Sequence, residues 1–142
     1  MIRALIVIPL AAASLAACAP RPLGRADMPR PRAGLWEWVG DGRRGEVCWT
    51  GQPLHIPGSA GACSTITYAL AAGGAEIDAV CGGGQVVSRT HMVFTGNVQS
   101  AYAVDTHNNL AVAGKPPIVS DLHAAFRFAG PCPPGRAADD VN

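Results

Sequence analysis

Short runs of alternating apolar and polar residues, separated by glycine-rich breaks, recur along this chain between residues 34 and 132. A period of two belongs to a strand with one buried face, whereas an amphipathic helix repeats its apolar residues every three or four positions. No window shows a helical period. Trp36 and Trp38 share one side of 35–39, with Glu37 on the other. Ile66, Tyr68 and Leu70 alternate with Thr65, Thr67 and Ala69, Ala72-Gly73-Gly74 supplies a turn, and 75–81 returns as a partner strand. Gly82-Gly83-Gly84 breaks the chain before 85–94, the longest strand candidate, and 98–104 follows. After the Pro116-Pro117 break, 118–128 sets Leu122, Ala124, Phe126 and Phe128 on one side and Asp121, His123, Ala125 and Arg127 on the other. The pattern predicts an all-β domain of about six to eight strands. An antiparallel meander of that length must form a strongly curved sheet or half-open barrel to hide its apolar face.

A domain spanning 34–132 has a modest core, and covalent staples help a fold of this size. Of the five cysteines, Cys48, Cys63, Cys81 and Cys132 lie inside it. Four cysteines make two bridges in any of three pairings. A turn centred near residue 72 sets positions 63 and 81 opposite each other, which favours Cys63–Cys81 and leaves Cys48–Cys132 to pin the C-terminal strand to an early one. The four thiols lack Cys-x-x-Cys or comparable ligand spacing, so they do not read as a zinc site, and no metal or cofactor is expected.

The fifth cysteine, Cys18, closes a different kind of segment. Arg3 is followed by an apolar stretch, 14 of the first 17 residues are apolar, and small residues precede the cysteine. This is the layout of a secretory signal, and it is too short to cross a bilayer as a helix. Export would place the other cysteines where disulfides persist. Leu15-Ala16-Ala17-Cys18 resembles the lipobox of bacterial lipoproteins. That resemblance implies removal of the signal peptide 1–17, lipidation of Cys18, and attachment to the membrane by two or more acyl chains, which stable anchoring requires. Ala19 stands where an aspartate would resemble an inner-membrane retention signal, so the resemblance implies the outer membrane, with the domain facing the periplasm. Residues 18–33, with four prolines and four arginines, read as an extended tether between the lipidated cysteine and the domain. Residues 133–142 read as a disordered tail.

The formal charge of +1, from 11 basic and 10 acidic side chains, provides no field to recruit nucleic acid. Ser59, in Pro57-Gly58-Ser59-Ala60-Gly61, lacks the glycine two positions earlier that a nucleophile elbow requires. The glycine-rich stretches are turns rather than phosphate loops, since no Gly-Lys-Ser/Thr follows them. His55, His91, His107 and His123 form no metal-binding helix motif. A two-histidine site across strands, from His91 and His123, is less favoured than solvated or hydrogen-bonded single histidines. Glu76 and Asp78 share a strand face and read as solubilising.

Gly34-Leu35-Trp36-Glu37, the four spaced cysteines, Cys81-Gly82-Gly83, Phe94-Thr95-Gly96 followed by Tyr102, and Gly130-Pro131-Cys132 together resemble the bacterial domain of unknown function 3617 family, small exported proteins of proteobacteria. The resemblance covers about residues 34–132 and implies an exported domain with no established activity. The sequence therefore points to a non-enzymatic, lipid-anchored envelope protein that binds a partner protein or serves envelope upkeep. The alternative is a carrier or sensor of a small apolar ligand, held in the concave face of the sheet and lined by Trp36, Trp38, Phe94, Phe126 and Phe128.

Overall fold

A computed structural model describes residues 21–56 and 62–136. The signal peptide and Cys18, Ser59 and the end of the tail (137–142) lie outside the described residues. Among the described residues seven strands form one antiparallel sheet: β1 (Gly34–Gly40), β2 (Arg43–Trp49), β3 (Cys63–Ala71), β4 (Gly74–Gly83), β5 (Val86–Asn97), β6 (Ala101–Val112) and β7 (Ile118–Gly130). Their order is β2-β1-β7-β6-β5-β4-β3. Strands β3 to β7 are the expected meander. The β1–β2 hairpin is laid against the far side of β7, so the sheet stays open, with β2 and β3 as its two edges.

Turn chemistry sets the register. Asp41 and Gly42, both at positive φ, join β1 to β2 in a two-residue hairpin, a turn whose left-handed positions suit Asp-Gly. Ala72 and Gly73 join β3 to β4, pairing Ala71 with Gly74. That turn alone is centred half a residue beyond position 72, and a register shift between Cys63 and Thr65 brings Cys63 opposite Cys81. The two cysteines form one disulfide, and Cys48–Cys132 forms the other, tying β2 to the chain just beyond β7.

One face of the sheet is apolar in every strand. Across it the cross-strand rows run Tyr68–Ile77–Met92–Thr106–Leu122 and Ala75–Phe94–Val104–Ala124. A third row, Tyr102–Phe126–Trp38–Gly45, continues onto β1 and β2. The opposite face carries Asp78, His91, His107, Asp121, Asp105 and His123, and is solvated, as an antiparallel sheet allows. In a flat sheet β2 and β5, four steps apart, would be separated by about 19 Å. Val47 of β2 and Phe94 of β5 nevertheless belong to one buried cluster, with Met28, Trp36, Leu54 and Ile77. The sheet is curved around its apolar face.

Residues 21–33 are not a detached tether. A single 3-10 turn, Arg25–Asp27, precedes Met28, which is 2% exposed within the core. Leu23 bridges to Tyr68 on the β3 edge, Arg32 N–H donates to the Val98 carbonyl oxygen (3.0 Å), and Gln99 Nε2 donates to the Arg30 carbonyl oxygen (2.8 Å). The segment thus crosses from β3 past the β5–β6 turn into β1. Its prolines favour the extended path, and one methionine and Pro31 supply the inward contacts. Composition registers the polar majority and misses these two positions. Part of the tail is also held: Arg136 pairs with Glu46 through Nη1 (2.7 Å) and donates to the Glu46 carbonyl oxygen.

Candidate functional site: an open apolar cavity

The alternation that builds each strand also grades the concave face along the strand direction. At the start of β1, Trp36 is 1% exposed, with Tyr102 and Phe128 edge-on to its ring at centroid distances of 5.1 and 5.6 Å. Its Nε1 donates to the Arg32 carbonyl oxygen (2.8 Å), and the Arg32 guanidinium lies over the Phe128 ring at 4.1 Å. Met28 and Leu54 pack into the same end, where Leu54 N–H donates to the Pro29 carbonyl oxygen. The 21–33 segment and the β2–β3 connection therefore seal one end of the trough.

Farther along, the trough is hollow. A cavity of about 560 Å³ lies between β1, β2, β5, β6 and β7, and its lining reaches the β1–β2 turn. Trp38, Val47, Trp49, Leu54, Phe94, Tyr102 and Phe126 form its inner wall, and Asp41, Arg43, Thr106 and Leu122 stand nearer the β1–β2 turn. Its size is that of a small-ligand site, and its wall is mostly hydrocarbon and aromatic. Trp49 is fixed by an Nε1 bond to the Gln52 carbonyl oxygen (2.9 Å) and stands 5.6 Å from the His55 ring. Tyr102 stacks parallel to Phe126 at 4.8 Å. Burial pushes the Tyr102 phenol well above its ordinary range, because the phenolate would lose its hydration. The hydroxyl is therefore neutral throughout the physiological range.

Of the five aromatic residues expected to line the concave face, Trp38, Phe94 and Phe126 do so. Trp36 and Phe128 do not line the cavity; they pack against each other and against Arg32, closing its end. The sequence reading omits Val47, Trp49, Leu54, Met92, Tyr102 and Val104 from the lining. Strand parity held a usable signal for some of them: Met92 and Phe94 are two apart, as are Tyr102 and Val104. Trp49 and Leu54 gave no comparable signal, because their place depends on where β2 docks.

The histidines on the convex face are exposed and individually hydrogen-bonded, as the favoured sequence reading has them. His91 stands opposite His107 rather than beside His123. Each of the three bonds an aspartate through Nδ1: His91 to Asp78 (2.8 Å), His107 to Asp121 (2.6 Å) and His123 to Asp105 (2.6 Å). These are exposed pairs, the kind that contributes little to stability. Among the described residues no group of three or more His, Cys, Asp or Glu side chains is arranged to hold a metal ion. No described helix is long and apolar enough to cross a membrane. Comparison with protein-family models, with curated proteins and with solved structures found no match to this chain.

Proposed function

We propose that this protein is a lipid-anchored envelope protein whose domain carries an apolar ligand in the concave cavity, without catalysing a reaction. The observation that supports a carrier over a purely partner-binding role is the cavity itself. A sheet with seven strands and two disulfides has the means to fill its interior, yet it leaves about 560 Å³ open behind an aromatic wall. Water in such a space gains few hydrogen bonds, so its release to an apolar ligand favours binding. The anchor rests on Leu15-Ala16-Ala17-Cys18, and the proposed location is the periplasmic face of the outer membrane. An anchored carrier would meet membrane-derived ligands at high local concentration.

Trp38 and Trp49 border the cavity and serve as reporters. Bromododecane is expected to quench their fluorescence saturably, and Ala124→Phe, which adds a ring to the cavity wall, to abolish the saturable component while the circular dichroism of the sheet is retained. Quenching that is absent, or unchanged by Ala124→Phe, refutes the carrier. For the anchor, Cys18→Ser is expected to move the protein from the membrane fraction to the soluble fraction. Unchanged membrane retention refutes that part of the proposal.

A further inference from the structure

The polar groups of the cavity wall are few, and their hydrogen bonds are unevenly distributed. Two of the three tryptophans satisfy their indole N–H on a backbone carbonyl oxygen: Trp36 on Arg32 and Trp49 on Gln52. The third, Trp38, lines the cavity and is the exception, since its buried Nε1 has no partner among the described residues. Tyr102 repeats the pattern. It is 7% exposed and lines the cavity, and its hydroxyl makes no hydrogen bond to any described residue. That oxygen is not among the unpartnered atoms sealed from solvent, so it remains reachable. The two residues stand in one cross-strand row, on either side of Phe126. Indole N–H donates only, and a phenol hydroxyl donates readily to a carbonyl. Leaving such groups dry and unpaired is costly, and native interiors rarely tolerate it.

We propose that the ligand is an acyl ester, with its hydrocarbon chain against Phe94 and Leu54 and its carbonyl oxygen accepting a hydrogen bond from Tyr102; the Trp38 indole N–H is sealed behind the wall and takes no part. This deepens the carrier reading and rests on it. A pure hydrocarbon would fill the volume and leave the Tyr102 hydroxyl unpaired. An ionised carboxylate would satisfy it but carry a charge into an apolar wall, which costs far more than a neutral ester. Arg43, without an ion-pair partner among the described residues, stands at the far end of the lining on β2, where it could meet only a headgroup outside the inner wall. A site built to hydrogen-bond one oxygen rejects analogues that lack it more strongly than a site that only measures chain length.

The test titrates the full chain with three probes of equal chain length: bromododecane, the methyl ester of bromododecanoic acid, and bromododecanoate at neutral pH, each read by tryptophan quenching. In the wild type the ester is expected to bind about tenfold more tightly than the alkane, the size of one buried hydrogen bond recovered. Tyr102→Phe keeps the stacked ring and all three tryptophans, and is expected to remove that preference, read as the ratio of ester to alkane affinity. Retained circular dichroism of the sheet shows that the variant is folded. An alkane that binds the wild type as tightly as the ester overturns the proposal and leaves the carrier standing. Tightest binding by the carboxylate also overturns it, because the polar end would then be recognised at Arg43. Failure of all three probes to bind overturns the carrier reading as well.

Discussion

Replacing both Cys48 and Cys132 by alanine should cost more stability than replacing both Cys63 and Cys81, and the gap can be worked from the chain. The first bridge closes a sequence separation of 84 residues and the second one of 18. The loop-closure entropy each removes from the unfolded chain corresponds to about 4.6 kcal/mol for the first and about 3.2 kcal/mol for the second at 25 °C. The difference is about tenfold in the folding equilibrium. Packing pushes in the same direction, since Cys48 is 2% exposed while Cys63 and Cys81 are only partly buried. The long bridge also holds the open edge: β2 pairs with β1 alone, and Cys132 clips it to the chain leaving β7. A domain of this size has a total stability of about 5–15 kcal/mol, so the loss is a large fraction of the whole. Urea unfolding of the two double variants under non-reducing conditions measures it. The Cys48/Cys132 variant should lose roughly 1.5–4.6 M from its midpoint, depending on the slope. Equal losses, or a greater loss for the hairpin pair, would refute the assignment of the long bridge as the main staple.

Three further perturbations address the architecture. Met28→Ala should destabilise by about 2–5 kcal/mol in urea unfolding, as for a buried core methionine; a cost under about 0.5 kcal/mol would show that residues 21–33 are a tether after all. Gly74→Ala places a Cβ onto the Phe94 carbonyl oxygen and should cost about 2 kcal/mol or more, whereas Gly83→Ala meets nothing and should stay within about 0.5 kcal/mol, both read from thermal midpoints. The buried Tyr102 phenol holds its proton in the folded state while the unfolded chain loses it near pH 10, so its contribution is complete below that pH and declines above it by up to about 1.4 kcal/mol per pH unit. Tyr102→Phe should flatten the alkaline limb of the stability profile relative to wild type, and identical limbs would contradict the burial.

Much of the fold is legible in the sequence because strand parity is local. The sides assigned to Trp36, Trp38, Phe126 and Phe128 are those the sheet uses, and the hairpin at Ala72-Gly73 sets Cys63 against Cys81 once the local register shift is included. Asp41-Gly42 is a turn signal of the same local kind, and it sets Gly40 opposite Arg43. The cavity is less legible. Trp36 and Trp38 look equivalent by alternation, yet one is packed in the closed end and the other lines the hollow, because Arg32, Met28 and Leu54 arrive from outside the strands and fill only one end.

Alternation, turn residues and cysteine spacing, each acting within a few residues or across one hairpin, determined by themselves that this chain is all-β, stapled, and apolar on one face. Tertiary structure decided where the β1–β2 hairpin attaches, which end of the trough is filled, and that the Tyr102 hydroxyl, without a partner among the described residues, stands in the wall of an open cavity. The physical reason is that these features depend on contacts between segments far apart in the chain, where no local period or turn specifies the partner.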